Sequence, residues 1–218
     1  MIVILDWDHT LFDTNYFKDD LAGALAIVGL TKRIFFLTYR GAVQQKNGHH
    51  DYDYLRHLKI IGQRHHLSSE KIFRLKQKFL KIMKNGSCYL FPETVKFLKI
   101  LKKSGARLIL CTLGNKELQR KKIYSSGVKK YFSLISITSG SKHKIVRNFM
   151  KPKEKTYFLS DDINELKKVA ERFPFVKLIL KKRPDKKEAE KEARRLHLTS
   201  FTNLLRISRF LLEDSKKE

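Results

Sequence analysis

Hydrophobic positions along the chain follow two regimes that meet near Pro92. The opening run Ile2 to Leu5 is continuous and rich in β-branched residues, which predicts a central strand buried on both faces. From Asn15 to Gly29 the positions Tyr16, Leu21, Ala24, Leu25 and Val28 recur at helical spacing. Tyr54, Leu55, Leu58 and Ile61 predict a second helix, and Ile72, Leu75, Phe79 and Met83 a third that ends before Asn85-Gly86. Lys32 to Arg40 has no clean period and is assigned to neither helix nor strand.

After Pro92 helix and strand patterns alternate. Helices are expected over Glu93 to Ser104, Lys116 to Ser126, Lys142 to Met150 and Asn164 to Arg172, and strands over Ala106 to Cys111, Ser133 to Ile137, Thr156 to Leu159 and Phe175 to Leu180. Gly105 and Gly127 stand where a helix end takes up left-handed backbone. Such a beat predicts an α/β fold, a doubly wound parallel sheet with helices on both faces and an active site outside the carboxyl ends of its strands. The tail from Lys181 to Arg195 reads as a solvated charged helix. Phe201, Leu204, Leu205, Ile207 and Leu211 predict a last helix packed back on the sheet, so no separate domain begins there.

Composition narrows the partners. The chain has 47 Lys+Arg against 22 Asp+Glu, a formal charge of +25, which concentrates polyanions or phosphorylated substrates around it. A merely solvated basic surface explains the same excess equally well. Two cysteines, Cys88 and Cys111, stand in no ligand spacing, which argues against a disulfide framework or a zinc site and for a reducing cytoplasm. The apolar start is interrupted by Asp6 and Asp8, unlike a signal peptide. The longest uncharged apolar run, about Leu21 to Leu30, is too short to span a bilayer. The expectation is a soluble protein with no membrane partner.

Candidate chemistry falls at the strand ends. Asp6-Trp7-Asp8-His9-Thr10 follows the first strand, and alternation lets Asp6 and Asp8 lean toward one cleft if the chain stays extended through Trp7. One carboxylate can attack phosphorus while the other protonates the departing alkoxide and later deprotonates water. Thr112 ends the second strand and can donate to a phosphoryl oxygen, or simply cap the following helix. Lys142, with Lys144 as its competitor, opens a helix where an ammonium can offset phosphoryl charge. Asp161 and Asp162 close a further strand. A hard cation such as Mg²⁺ needs few carboxylates, and Asp6 and Asp161 can supply them, although two acids here also suit a helix cap.

Together these residues resemble the haloacid dehalogenase-like (HAD) hydrolase superfamily. Asp6, Asp8 and Thr10 match its first motif, Thr112 its second, Lys142 its third and Asp161-Asp162 its fourth, over Ile2 to about Glu165. The resemblance implies that Asp6 is the nucleophile and Asp8 the general acid/base. It also implies Mg²⁺ held by Asp6, the Asp8 carbonyl and the acidic fourth motif, Asp161 and Asp162. Family members that cleave carbon–halogen bonds lack an acid at the place of Asp8, so its presence implies phosphoryl transfer. Two departures stand out: Ser160 replaces a common glycine, and Glu165 competes with Asp162 as the second acidic member.

The same resemblance implies a core of residues 1–12 and 91–218 with an inserted α-helical cap, 13–90, that closes over the phosphate. The function expected is a Mg²⁺-dependent phosphomonoester hydrolase acting on a small phosphorylated metabolite or nucleotide. The alternatives are a phosphatase acting on nucleic-acid ends and a non-catalytic basic scaffold binding RNA or protein. His49, His50, His57, His65 and His66 in the cap read as solvent-facing more readily than as ligands, and Trp7 as packed on the sheet rather than stacked on a substrate base.

Overall fold

The computed structural model describes residues 1–46, 49–138, 140–150 and 154–216, the side chains of 44–46 and of 49–50 excepted. Its frame is a six-stranded sheet in the order β5-β4-β1-β6-β7-β8, every pairing parallel. β1 (Ile2–Leu5) lies at the centre with all four residues fully buried, as its unbroken apolar run predicts. β4 (Arg107–Leu113) flanks it on one side and β6 (Thr156–Ser160) on the other. β5 (Leu134–Thr138) lies outside β4, and β7 (Lys177–Lys181) and β8 (Thr199–Phe201) outside β6.

Strand alternation divides the interior into two cores. Val3, Leu5, Leu108, Leu110, Tyr157 and Leu159 face one way, toward α5 (Thr94–Lys103) and α10 (Leu204–Ser215). Ile2, Ile4, Ile109, Cys111 and Phe158 face the other, toward α7 (Lys142–Phe149), α8 (Ile163–Ala170) and α9 (Lys187–Arg195). Burying each of these aliphatic or aromatic side chains is worth roughly 1.5–3 kcal/mol. Gly105 and Gly127, at φ 79° and 74°, end α5 and α6 (Lys116–Ser125) in left-handed backbone. After β5 the chain crosses back to the far side of β1, so the order of strands reverses between β1 and β6. Their carboxyl ends therefore open the crevice in which a doubly wound sheet binds its ligands.

The segment between β1 and β4 carries α1 (Thr14–Gly23), a 3₁₀ extension Ala24–Val28, α2 (Lys32–Ala42), α3 (Tyr54–Arg64) and α4 (Ser69–Lys84). A 3₁₀ turn, Gly86–Tyr89, leads back to the sheet. Lys32 to Arg40, without a period in the sequence, is helical. Phe35, Thr38 and Ala42 are buried while Phe36 and Leu37 are exposed, so apolar residues on both faces erase the periodicity. A small antiparallel hairpin, β2 (Val43–Lys46) with β3 (His49–Tyr52), was not expected from its polar sequence, nor was the short edge strand β8. Phe175, placed in a strand by the sequence, precedes β7 and is largely exposed. Among the described residues no single helix is long and apolar enough to cross a membrane. One bent pair, Thr14–Val28 with Lys32–Ala42, meets that test only in combination, across a 115° break.

Candidate active site

Asp6 continues β1 by one ladder bond, its N–H donating to the Leu159 carbonyl at 2.9 Å. The chain then turns instead of staying extended. The Trp7 carbonyl accepts from the N–H groups of Leu11 at 2.9 Å and Phe12 at 3.1 Å, and His9 takes left-handed backbone at φ 57°. Trp7 is fully buried and stacks on Phe12 with centroids 5.2 Å apart, so it anchors this turn and meets no ligand. The turn brings Asp6 and Asp8 to one cavity of about 470 Å³, which Thr112, Lys142, Asp161 and Asp162 also line. All six candidate residues thus meet at the carboxyl ends of the strands.

Asp6 is nearly buried and fully engaged. Its Oδ1 accepts from the Trp7 N–H at 2.7 Å and lies 2.6 Å from the Lys142 ammonium. Its Oδ2 accepts from the Ser160 hydroxyl at 3.2 Å and, more weakly, from Thr10 at 3.5 Å. Lys142 bridges Asp6 to Glu165, again at 2.6 Å. Burial disfavours the ammonium, but the Asp6 and Glu165 charges outweigh that and raise its pKa, so Lys142 stays charged. Lys144 is exposed and does not line this cavity, so Lys142 is the lysine that the fold brings to Asp6.

The fourth-motif acids divide their work. Asp161 is held by its N–H, which donates to Thr10 Oγ1 at 3.1 Å, and by Arg183, whose Nη1 donates to its Oδ2 at 2.9 Å. Burial and then the neighbouring Asp6 charge push its carboxyl above the usual range. Asp162 lines the cavity but spends its carboxylate as the N-cap of α8, accepting from the Asn164 N–H at 2.8 Å. Glu165 is the acid turned inward, on Lys142 and on the Ser160 hydroxyl at 3.3 Å. Burial raises its carboxyl too, against the opposing pull of Lys142. Ser160 has a use that glycine lacks: its one hydroxyl proton is within reach of either the Asp6 or the Glu165 carboxylate, and its oxygen accepts from the Asp162 N–H at 3.1 Å.

Asp8 has partners that nothing in the pattern of the chain singled out. Thr14 of α1 and Lys122 of α6 both bond its Oδ1, and Gln119 of α6 donates to its Oδ2 at 2.6 Å. Burial pushes the Asp8 carboxyl up, but the charge and hydrogen bond of Lys122, with Thr14 and Gln119, hold it well below the usual range. Lys122 is itself buried, its ammonium 4.6 Å from the Phe12 ring centre and 5.6 Å from that of Phe17. An i, i+3 pair of polar residues on a helix just after Thr112 was the only available signal. Thr112 is buried at the cavity wall, its hydroxyl donating to the Leu113 carbonyl at 3.4 Å.

Among the described residues no three histidine, cysteine or acidic side chains form a closed metal cage. Mg²⁺ needs none, since it takes one or two carboxylates and completes its shell with water and phosphate. Asp6 and Asp161 are such oxygen donors, lining one cavity and already compensated by two protein cations, Lys142 and Arg183. That donor set fits a hard cation. His9, at the cavity, is lowered to about 4 by burial and by the Arg183 charge, and so stays neutral. The histidines of the insertion differ among themselves. His57 is fully buried, contrary to the expectation of a solvent-facing side chain; Thr38 bonds its Nε2 at 2.8 Å and Tyr52 its Nδ1 at 2.9 Å. His66 is exposed and His65 half-buried, while the side chains of His49 and His50 lie outside the described residues. Cys111 is a core thiol, raised to about 12 by burial, and Cys88 is free and exposed.

Solved structures share this architecture at low identity. A haloacid dehalogenase-like hydrolase of Burkholderia xenovorans superposes with TM-score 0.73 at 14% identity, covering 97% of this chain and 96% of the other. A dehalogenase with an intermediate complex gives 0.62 at 13% identity, with 96% of each chain covered. A Bacillus subtilis HAD hydrolase bound to magnesium gives 0.52 at 13%, covering 82% of this chain and 85% of the other. These likenesses concern the fold alone. No curated protein matches the sequence. A family model described as haloacid dehalogenase-like hydrolase matches residues 1–168, which include every residue of the acid–lysine cluster from Asp6 to Glu165, and the chain belongs to that family of hydrolases.

Proposed function

We propose that this hydrolase is a phosphomonoesterase that requires Mg²⁺ and works through an aspartyl-phosphate on Asp6. The observation that carries the reading is Asp8. A second carboxylate shares the cavity of the nucleophile and is supplied with its own cation, Lys122. A reaction that expels an alkoxide and then hydrolyses an acyl phosphate needs a proton-handling group there, whereas the family members that cleave carbon–halogen bonds lack that acid.

Asp6 Oδ2 has the weaker hydrogen bonds and is the oxygen that attacks phosphorus, while Lys142 holds Oδ1 and offsets phosphoryl charge. Thr112 supplies a hydroxyl at the cavity wall. The proton for the leaving alkoxide is held on the Asp8–Lys122 pair, and Asp8 takes one back from the water that attacks the aspartyl phosphate. Asp6, the Asp8 carbonyl and Asp161 would hold Mg²⁺, with Glu165 and Asp162 behind them. When bound, the ion neutralises the phosphoryl oxygens and orients them. The insertion over 13–90, which supplies Thr14 to Asp8, acts as the cap that closes over the substrate.

Activity on a small phosphomonoester such as p-nitrophenyl phosphate, dependent on Mg²⁺ and lost in Asp6→Asn, is the expected result. Halide release from a haloacid with no phosphatase activity would overturn it. The charge of +25 favours one second reading, a phosphatase of nucleic-acid ends, for which turnover would be confined to 3′- or 5′-phosphorylated oligonucleotides. The intact cluster of nucleophile, lysine and acids argues against a scaffold without activity. We place the protein in the cytoplasm on its free thiols.

A further inference from the structure

Arg183 follows β7 and stands between two acids. Its Nη1 donates to Asp161 Oδ2 at 2.9 Å, while Nε and Nη2 donate to Asp185 Oδ1 at 3.0 Å and Oδ2 at 2.6 Å. The two contacts differ in kind. The Arg183 and Asp161 side chains are only 12% and 10% exposed, whereas Asp185 is 50% exposed at the surface. The bidentate fork on Asp185 uses the planar geometry of the guanidinium, and one N–H of Nη1 reaches inward to Asp161.

All three nitrogens donate to carboxylates, and the two acids together offset the guanidinium charge, which makes Arg183 a poor receptor for a substrate anion. What it does is neutralise Asp161. That acid lies beside Asp6, itself paired to Lys142, so these two acids each have a protein cation of their own. A divalent ion on Asp161 adds two positive charges next to the guanidinium, and the two cations oppose each other at short range. Leaving Asp161 costs Arg183 one of its three hydrogen bonds, because Asp185 keeps the other two. The exchange is a short swing within a tethered side chain.

We propose that Arg183 is the counter-cation of Asp161 in the metal-free protein, displaced when a divalent ion binds, and that Asp185 is the surface acid that retains it. The inference rests on the metal site of the proposed function and assigns Arg183 and Asp185 as positioning residues of that site. It sets metal affinity through competition, so removing the competitor strengthens binding. An arginine that merely orients Asp161 would do the reverse, since loss of a supporting partner weakens metal affinity about 10–100-fold.

The sign decides. With the metal-free chain titrated with magnesium chloride in a calorimeter, Arg183→Gln is expected to bind Mg²⁺ several-fold more tightly than wild type, because a like charge is removed from beside the ion. Asp185→Asn, which leaves Arg183 with Asp161 alone, is expected to bind several-fold more weakly. Thermal denaturation gives a second readout: without metal Arg183→Gln melts below wild type, and saturating Mg²⁺ raises its melting temperature by more than it raises that of wild type. Unchanged or weaker Mg²⁺ binding by Arg183→Gln overturns the proposal while leaving the metal site standing. If Arg183→Gln does not fold without metal, Asp185→Asn carries the test, and unchanged or tighter binding there overturns it. Failure of wild type and both variants to bind Mg²⁺ overturns the metal reading itself and this inference with it.

Discussion

Lys122 shows how a single buried charge is kept at a site. Its ammonium bonds Asp8 Oδ1 and also lies over the rings of Phe12 and Phe17, so the buried side chain is both ion partner and packing. Lys122→Met preserves most of the packing and removes the charge. We expect phosphatase turnover to fall about 100-fold, in the range that proton transfer by a placed group contributes. The fold should lose less than about 3 kcal/mol, because the Asp8 side chain is 26% exposed and can take water in place of the ammonium. Turnover compared with melting temperature checks this; unchanged turnover would remove Lys122 from the machinery. That Asp6, Thr112, Lys142 and Asp161 line one cavity was legible in the sequence because a strand end is a local address, marked by the apolar run before it. Lys122 and Gln119 were not, lying 114 and 111 residues from Asp8 in a chain with 47 basic residues, none marked as functional by its own neighbours. Asp162 was legible both as a metal acid and as a helix cap, since the same residue type serves both uses, and only the fold shows its carboxylate on the Asn164 N–H.

At the scale of elements, the site depends on how α6 is seated. Gly86, in the turn that returns the chain from α4, lies against that helix so closely that an added Cβ would meet Ser125 Oγ, the Lys122 carbonyl at 2.7 Å and the Ser126 nitrogen at 2.9 Å. Backbone cannot yield as a flexible side chain does. Gly86→Ala is therefore expected to cost about 1–3 kcal/mol, seen as a drop in melting temperature of roughly 2–4 °C per kcal/mol. It should also lower turnover by shifting Lys122 away from Asp8, and a variant as stable and active as wild type would show that the two elements can part.

Within the insertion, His57 ties α3 to Thr38 of α2 and Tyr52 of β3 and is held neutral, lowered to about 4 by burial. Its folded value lies below the unfolded value of 6.5, so between about pH 6.5 and 4 the unfolded chain binds a proton that the native one does not. Stability must then fall as pH drops through that window, by roughly 3 kcal/mol at most. Melting curves from pH 7 to 4 should show this slope flattened in His57→Gln. The amphipathic helices of the insertion were readable because period 3.6 survives in them. α2 and the β2–β3 hairpin were not, because exposed Phe36 and Leu37 blur one pattern and a polar hairpin leaves no apolar face to read.

At the scale of the whole molecule, the charge of +25 acts on encounter rather than on chemistry. Asp8, Asp6 and Asp161 at the cavity are paired with Lys122, Lys142 and Arg183, so the excess lies outside the cluster and draws anions toward it from a distance. Added salt shortens that reach, from about 10 Å at 0.1 M to about 3 Å at 1 M, and leaves short buried pairs almost untouched. For a small phosphate ester, kcat/KM should therefore fall several-fold as sodium chloride is raised from low to molar concentration, while kcat, governed by the buried cluster, holds nearly constant. An oligonucleotide substrate would respond far more steeply, because each phosphate neutralised by a lysine or arginine releases a counterion and contributes about one unit to the slope of log affinity against log salt. Measured side by side, the two slopes separate the readings: a shallow slope for monoesters with no turnover of oligonucleotides assigns the basic surface to steering, and a steep slope with preferred oligonucleotide turnover assigns it to binding.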